Sequence, residues 1–254
     1  MQKVFVSNVQ HYTGPGVVQV LSESGYQVIC HDPAFTDVDQ RGRYCQENNL
    51  NSEHIVTLTA QNPEEIAQAL EEIGQVSRFV FNDVHPNTPK PFEQITLEEL
   101  RAAHQALVEF PFRLCQLILP ALKQQSLEQQ AQKQQQGCAI AFITSARQLQ
   151  PEPGFVLATS IRAGATALAQ AVAREAAPFG IQVNAIQPNY LYSELYYPKA
   201  KFIDDEEGRE HIAQRVPAGR LGQPEEFGAL VEFYISGRSP FATGQVINFT
   251  GGWP

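Results

Sequence analysis

The sequence predicts a doubly wound α/β fold, in which helices cover both faces of a parallel sheet. Short apolar segments without alternation recur along the chain, amphipathic segments separate them, and turns containing Gly or Pro join the two. Strands without alternation are buried on both faces, as in a parallel sheet covered by helices. With 254 residues, of which 43% are apolar, the chain is long enough to form one domain over residues 1–254.

Four of the predicted strands come early in the chain, at residues 4–6, 27–30, 55–58 and 79–81. Between the first two, the turn Thr13-Gly14-Pro15-Gly16 precedes an amphipathic stretch that ends at Gly25. After the third strand, Asn62 and Pro63 predict the start of a helix, because Asn caps helix N-termini and Pro fits the first helical position. Two glutamates that follow lie near the positive end of the helix dipole.

The remaining elements continue the same alternation. Helices are predicted over residues 97–122, 162–177 and 224–235, and strands over residues 139–143, 181–186 and 245–249. Pro111 predicts a bend in the first of these helices, because proline removes one backbone hydrogen bond and clashes with the preceding turn. The order of strands and helices therefore indicates a doubly wound sheet.

Two segments depart from this order. Residues 124–136 contain eight glutamines and few apolar residues, so we expect a solvated helix extension or a disordered insertion. Residues 190–210 lack a clear period and are rich in aromatic residues and carboxylates. Because this stretch follows the sixth strand, where ligands bind in such sheets, we expect it to be a ligand-binding loop.

Composition excludes several classes of partner. The net charge of −9 argues against binding to nucleic acid or to an anionic membrane. No apolar run is long enough to span a membrane. The four cysteines are far apart in the sequence and the six histidines show no ligand spacing, so we expect neither a metal site nor a disulfide framework, and a reducing, cytoplasmic setting.

The turn after the first strand decides whether a dinucleotide can bind, because glycines there let backbone N–H groups approach the pyrophosphate. This turn resembles the Thr-Gly-x-x-x-Gly-x-Gly turn of the short-chain dehydrogenase/reductase superfamily, but Asn8 and Tyr12 fill two glycine positions and only Gly14 remains. A Tyr side chain occupies the volume that a pyrophosphate needs. A variant cofactor turn is the alternative. Asp32 favours NAD because an acid there can bond a ribose, although it also fits a helix cap or a turn residue.

Ser7, Tyr12 and Gly14 further resemble the Thr-x-x-x-x-(Phe/Tyr)-x-Gly signature of halohydrin dehalogenases, which are relatives within that superfamily that lost NAD binding. Ser7 stands where that family usually has Thr. Other similar segments lie at residues 30–32, 82–83, 142–145, 162–165, 188–191, 220–222 and 250–252, so the resemblance spans nearly the whole chain. It implies a Rossmann-like fold, no cofactor and a halide site in the vacated space.

The resemblance also implies a reaction. In the family, a Ser and a Tyr bond the substrate hydroxyl, an Arg lowers the pKa of the phenol, and the alkoxide displaces the vicinal halide to form an epoxide. The Ser corresponds to Ser145 and the Arg to Arg162, while the position of the Tyr is held by Ala158. Taken alone, Ser145 also fits a helix cap or turn residue, and Arg162 also fits a surface residue near a helix start.

Ala158 leaves three interpretations open, because alanine cannot exchange a proton and a general base contributes roughly 10²–10⁴-fold in rate. Another group serves as the base, either a water held by Ser145 and Arg162 or a phenol among Tyr190, Tyr192, Tyr196 and Tyr197. Alternatively, the site binds a small anion or polar ligand without turnover, or the chain is a structural homologue. An NAD(P)-dependent oxidoreductase is a further alternative, disfavoured by Asn8, Tyr12 and Ala158.

The resemblance places the halide and substrate site at seven residues: Tyr12, Asp83, Pro188, Asn189, Tyr190, Leu191 and Tyr197. Backbone N–H groups of the 189–191 turn can form an anion-binding concavity, and aromatic edges carry partial positive charge. Tyr12 also fits a core or lid aromatic, and Asp83 also fits a residue that closes a strand end.

Partners follow from the same resemblance. They are a small halohydrin or epoxide and a halide or other small anion. The helices at 97–122 and 162–177 carry apolar or small residues over much of their surface, and in the family they pair with copies in a second subunit. A homotetramer or dimer is therefore expected, with residues 251–254 reaching a neighbour.

Overall fold

A computed structural model of the chain describes residues 1–37, 39–86, 88–132 and 137–254. Its centre is a sheet of seven parallel strands in the order β3-β2-β1-β4-β5-β6-β7. The strands are β1 Lys3–Val6, β2 Gln27–His31, β3 Ile55–Leu58, β4 Val76–Phe81, β5 Ala139–Ile143, β6 Gln182–Pro188 and β7 Val246–Phe249. The order reverses direction between β1 and β4, as in a doubly wound sheet. The predicted fold class is confirmed.

Helices cover both faces of this sheet. They are α1 Gly14–Glu23, α2 Gln40–Glu47, α3 Pro63–Ile73, α4 Leu97–His104, α5 Phe110–Ala131, α6 Val156–Ala176, α7 Lys199–Phe202, α8 Glu206–Arg215 and α9 Pro224–Ile235. Side chains alternate across β1, so Val4 and Val6 join the core beneath α1 and α9, whereas Phe5 joins the core beneath α3, α5 and α6.

Two glycines let α1 and α9 approach each other closely. A Cβ atom on Gly16 would lie 2.3 Å from the backbone of Pro224, and one on Gly228 would lie 2.5 Å from the carbonyl oxygen of Gly16. These distances are shorter than any tolerated contact, so both positions require glycine. The close approach fixes the first turn of α1, which lies directly after the candidate cofactor turn.

Local signals placed several elements correctly. The Asn62 side chain accepts a hydrogen bond from the N–H of Glu65 at 2.8 Å and caps α3, as predicted. The predicted helix over 97–122 is interrupted by a π-helical segment at Gln105–Glu109, just before Pro111. Pro111 lacks the N–H that would bond the carbonyl of Leu107, so the regular ladder breaks there.

Other boundaries differ from the prediction. α6 begins at Val156, not at Arg162, so Arg162 lies in the second turn and is buried. α5 continues to Ala131, so the glutamine-rich segment begins as a helix extension, and residues 133–136 lie outside the described part of the chain. The segment 190–210 is not one loop, because it contains α7 and the start of α8, whose cap is the Asp205 side chain.

The stretch Val156–Phe179, which includes α6, is long and apolar enough to cross a membrane by length and composition alone. In the structure α6 packs against β5 and β6, and its residues Ala165, Ala169 and Ala173 are buried in the domain. A core helix of a soluble domain passes the same test. All four cysteines are free and buried.

Candidate active site

The turn between β1 and α1 is tied to the carboxyl end of β4. The Ser7 hydroxyl and the Asn8 amide donate to the Asp83 carboxylate at 2.9 and 3.2 Å. The Thr13 hydroxyl donates to the Asn82 carbonyl oxygen at 2.6 Å, and the Asn82 amide donates to the backbone carbonyls of Asn8 and His11. Five side-chain hydrogen bonds therefore hold this turn in one conformation.

Asn8 and Tyr12 keep the backbone conformation of the glycines that they replace. Their φ angles are +49° and +55°, in the left-handed region that glycine occupies most easily. The Tyr12 ring packs edge-to-face against the Tyr196 ring, with centroids 5.0 Å apart. The turn thus keeps the backbone conformation of a glycine-containing turn, but it carries an aromatic side chain at Tyr12.

The Asp32 carboxylate is hydrogen-bonded to backbone N–H groups. Its two carboxylate oxygens accept hydrogen bonds from the N–H groups of Gln10 and Ala34 at 3.0 and 3.1 Å, and the residue is 1% exposed. Of the two interpretations of Asp32, the turn residue is therefore the one that the structure supports. Together with the Tyr12 ring, this means that the residues present do not fit a nicotinamide dinucleotide.

A cavity of about 90 Å³ lies at the carboxyl edge of the sheet, behind Tyr12. The three positions predicted for catalysis, Ser145, Ala158 and Arg162, all line it. Four of the seven predicted halide-site residues also line it, namely Tyr12, Asn189, Tyr190 and Tyr197. The sheet topology explains this meeting, because the carboxyl ends of β1, β4, β5 and β6 share one edge.

Ser145 and Arg162 are held by neighbouring backbone. The Ser145 oxygen accepts a hydrogen bond from the N–H of Arg147 at 3.2 Å and caps the short helix Ala146–Leu149, which leaves its own proton free for a ligand. Arg162 is 7% exposed and donates to the Ile143 carbonyl at 3.1 Å. Ala158 lies four residues before Arg162 on α6 and therefore on the same helix face.

The cavity wall is cationic. Arg147 and Arg162 line it, and no carboxylate does among the residues that the structure describes. Arg147 pairs with Glu152 at 2.8 Å and stacks over the Phe155 ring at 3.9 Å, whereas Arg162 has no ion pair within the described ranges. The Arg162 charge acts on the buried Asp83 carboxyl and opposes the rise of its pKa. Because the guanidinium forms no direct ion pair in the described part of the chain, its remaining donors favour an anionic or electron-rich ligand.

The phenols around the cavity hold their protons. Burial raises the pKa of Tyr12 well above its usual range and raises the pKa of Tyr197 to about 12. Tyr192 is not among the residues that line the cavity. Its hydroxyl donates to Glu194 at 2.6 Å, which raises its pKa to about 12. Tyr192 is therefore not the substitute phenol that the sequence allowed.

Three predicted site residues do not reach the cavity wall. Asp83 is buried beneath the turn, where it accepts the Ser7 and Asn8 bonds, and burial raises its pKa to about 7. Pro188 ends β6 inside the sheet, and Leu191 is fully buried in the core. The three residues therefore belong to the buried structure behind the cavity wall and do not contact a ligand in it.

In the predicted anion-binding turn, the backbone N–H groups of the first two residues are not available to an anion. The N–H of Asn189 donates to the Phe249 carbonyl at 3.1 Å, and the N–H of Tyr190 donates to the side-chain oxygen of Asn189 at 3.0 Å. Positive charge at the cavity wall thus comes chiefly from Arg162, because Arg147 is paired with Glu152.

The sequence does not point to His85 or Arg147 as site residues, yet both line the cavity. His85 comes three residues after Asn82, at the carboxyl edge of β4, and Arg147 comes two residues after Ser145. Their nearness to strand ends was the available signal. Tyr196, one of the phenols that the sequence offers as a substitute base, lies in the segment after β6 and also lines the cavity.

Comparisons with known proteins agree with the fold. The family model described as enoyl-(acyl carrier protein) reductase matches residues 13–254. L-fucose dehydrogenase from rabbit (Oryctolagus cuniculus) is 28% identical over 98% of this chain and 84% of its own length. Among solved structures, halohydrin dehalogenase (HheC) bound to ethyl (2S)-oxiran-2-ylacetate is 31% identical, with a TM-score of 0.90 over 100% of this chain and 97% of that one. A structure described as a dehalogenation enzyme is 28% identical, with a TM-score of 0.88 over 100% and 98%.

The seven-stranded parallel sheet with its flanking helices and the family model that covers residues 13–254 lead to one assignment. The chain belongs to the short-chain dehydrogenase/reductase superfamily.

Proposed function

We propose that this protein is a carbon–halogen lyase of the halohydrin dehalogenase type, which interconverts vicinal halohydrins and epoxides without a nicotinamide coenzyme. The observation that carries the proposal is the Tyr12 ring on the turn where a dinucleotide would bind. The commitment of Asp32 to two backbone N–H groups supports it. Full-length similarity to the solved halohydrin dehalogenase structure, at 31% identity, also supports it.

In the forward reaction, Ser145 and Arg162 hold the substrate hydroxyl. Both can donate to its oxygen, and their donation strengthens as the hydroxyl passes its proton to a water molecule in the cavity and becomes an alkoxide. The alkoxide attacks the adjacent carbon, the carbon–halogen bond breaks, and the electron pair leaves with the halide. Because the nucleophile and the leaving group belong to one molecule, positioning supplies much of the rate. Ala158 takes no part in proton transfer.

The halide would leave into a cationic cavity. The net charge of −9 repels an anion at long range, but Arg147 and Arg162 line the cavity and favour it at short range. The aromatic edges of Tyr12 and Tyr196 add partial positive charge. Weak binding of this kind suits a leaving group that must depart, and in reverse it suits a small anion that opens an epoxide.

Binding without turnover is the second candidate, and Ala158 is the observation that favours it. An oxidoreductase is the function named for curated relatives such as L-fucose dehydrogenase, but the Tyr12 ring and the hydrogen bonds of Asp32 disfavour it here. The three candidates differ in what the protein does with halohydrins and with NADH.

The deciding experiment measures bromide release and methyloxirane formation from 1-bromo-2-propanol in the absence of coenzyme. We expect the two products at equal rates, and we expect Ser145→Ala to lower both rates by roughly 10²–10³-fold. If the native protein is inactive and Ala158→Tyr creates activity, the native protein binds without turnover. Saturable micromolar binding of NADH or NADPH would instead support an oxidoreductase.

Assembly into a dimer or tetramer, in the cytoplasm, is part of the same proposal. Superfamily members are typically oligomeric, and α6 exposes small residues at Gly164 and Ala167 while α5 exposes Phe112. We propose that these helices pair between subunits. Trp253 packs against Tyr190 of its own chain, while Gly251, Gly252 and Pro254 are exposed, so a contact of the C-terminal residues with a neighbour stays part of the proposal. Light scattering after gel filtration would give the mass in solution.

A further inference from the structure

The Arg147 side chain belongs to the cavity wall through its guanidinium group. The guanidinium carbon lies 3.9 Å from the centre of the Phe155 ring, and the guanidinium also interacts with the Tyr197 hydroxyl. Phe155 and Tyr197 both line the cavity. The Arg147 side chain is 19% exposed, so part of its surface remains open to a ligand.

The charge of Arg147 acts on other groups of the wall. Burial raises the pKa values of Tyr12 and Tyr197, and the positive charge of Arg147 acts against the rise in both. The charge of Arg162 does the same at Tyr12. The two guanidinium groups therefore act on the same part of the wall, although Arg162 is buried and Arg147 is only half-buried.

Glu152 neutralises Arg147 only in part, because it is shared. One oxygen of its carboxylate accepts a hydrogen bond from Arg147 at 2.8 Å, and the other accepts one from Arg215 at 3.1 Å. The Glu152 side chain is 32% exposed, so water weakens both pairs. One negative charge thus serves two guanidinium groups, and positive charge remains in excess beside a cavity that no carboxylate lines in the described part of the chain.

The Arg147 guanidinium has donors left for a ligand. It carries five N–H groups, of which Glu152 takes one by a direct hydrogen bond. A guanidinium that covers an aromatic ring with its face keeps its N–H groups at the edge, where a carboxylate can accept two parallel hydrogen bonds. Arg147 also begins beside Ser145, whose oxygen accepts its backbone N–H at 3.2 Å.

We propose that Arg147 selects substrates that carry a carboxylate near the hydroxyl-bearing carbon, so that the substrate class is small halohydrin acids and their epoxides. The inference rests on the proposed lyase function and names its substrate class. Ser145 and Arg162 hold the hydroxyl, while Arg147 holds the carboxylate. The edges of the Tyr12 and Tyr196 rings remain for the halide. A chlorohydrin acid then gives an epoxide acid, chloride and a proton.

The first test measures binding without turnover. The ligands 3-hydroxybutanoate and 3-hydroxybutanamide have nearly the same shape, differ in charge and carry no leaving group. In NMR titrations we expect native protein to bind the carboxylate roughly 10–100-fold more tightly than the amide, because hydrogen bonds to charged groups are the stronger ones. Arg147→Met should remove this preference.

Arg238→Met is the matched control, and it should keep the native preference. Arg238 also pairs with a glutamate, Glu232, and lies 5.3 Å from the centre of the Phe233 ring. It is not among the residues that line the cavity. The control therefore removes an ion pair and a cation–π contact without changing the wall.

The second test measures turnover with a matched pair of substrates, 4-chloro-3-hydroxybutanoate and 4-chloro-3-hydroxybutanamide. Chloride release above the uncatalysed rate gives kcat/KM for each. We expect the ratio of carboxylate to amide to be roughly 10–100 in native protein and to fall towards one in Arg147→Met. The ratio corrects for any general loss of activity in the variant.

Several outcomes overturn the inference and leave the lyase intact. Equal binding of carboxylate and amide by native protein is one, and a preference that survives in Arg147→Met is another. If Arg147→Met does not fold, Arg147→Gln replaces it, since the amide can still donate to Glu152, and a native preference in that variant also overturns the inference. If native protein prefers the carboxylate ligand but releases no halide from either chlorohydrin or from 1-bromo-2-propanol, the proposed lyase fails while carboxylate binding stands.

Discussion

The ring of Tyr12 meets the ring of Tyr196 edge-to-face, with centroids 5.0 Å apart and planes inclined at 83°. Tyr12 comes from the turn after β1, and Tyr196 comes from the segment after β6. The contact therefore joins the place where a dinucleotide binds in related folds to the wall of the cavity. Both rings are part of the cavity wall.

The first prediction concerns coenzyme binding. Because the Tyr12 ring fills the turn and Asp32 is bonded to Gln10 and Ala34, NADH and NADPH should give no saturable signal in isothermal titration calorimetry up to millimolar concentration. A coenzyme-dependent reductase of the same superfamily serves as the positive control. Micromolar binding by the native protein would contradict our view of the turn.

The second prediction concerns Ser145. Removing a donor to a developing oxyanion lowers the rate by roughly 10²–10³-fold, so Ser145→Ala should lower kcat/KM for a bromohydrin by that factor. Ser160→Ala is the matched control, since Ser160 is exposed on α6 and its hydroxyl donates to the Leu157 carbonyl of the same helix. Equal activity of the two variants would remove Ser145 from the mechanism.

The third prediction concerns Asp83. Burial raises its pKa from 3.8 to about 7, so the native state binds a proton that the unfolded state has released between these values. This contribution to stability is present at low pH and is lost as pH rises from about 4 to about 7, by up to about 4 kcal/mol. Asp83→Asn keeps an oxygen acceptor for Ser7 and Asn8 and avoids the buried charge.

Urea unfolding at pH 5 and pH 8 checks the third prediction. Asp83→Asn should gain stability relative to native protein at the higher pH and show little gain at the lower one. Asp37→Asn, an exposed residue paired with Arg43, should show neither change. A variant that is less stable than native protein at pH 8 would mean that the carboxylate is needed in its charged form.

The fourth prediction concerns His31. Its ring lies between those of Phe5 and Phe110, and neither ring nitrogen has a hydrogen-bond partner among the residues described. Burial lowers its pKa from 6.5 to about 4, so the unfolded state binds a proton first as pH falls. Stability should therefore drop by about 3 kcal/mol between pH 6.5 and pH 4.

Thermal unfolding across that pH window checks the fourth prediction. His31→Phe keeps the aromatic stack and removes the titrating group, so its unfolding temperature should fall less than that of native protein. His11→Gln, at an exposed position, is the control. Parallel curves for native protein and His31→Phe would show that other groups cause the acid sensitivity.

Much of the fold is present in local sequence. The strands at 55–58 and 139–143 and the helix at 224–235 have the predicted bounds, because apolar runs and capping residues act over a few neighbours. The sequence does not predict α2, α7 or the start of α8. These helices bury few side chains, so their apolar residues do not recur with a clear helical period. The early start of α6 escaped because residues 156–161 carry no capping signal.

The candidate site likewise has features that the sequence predicts and features that only the tertiary structure shows. The resemblance to halohydrin dehalogenases predicts that Ser145, Arg162 and Tyr12 share one site, and all three line the same cavity. The tertiary structure decided how each polar group is used: Asp32 and Asp83 bond backbone and side chains of the first turn, the N–H groups of Asn189 and Tyr190 are already taken, and His85 enters the cavity. Hydrogen-bond partners come from elements far apart in the chain, so no local pattern can reveal which donors and acceptors remain free for a ligand.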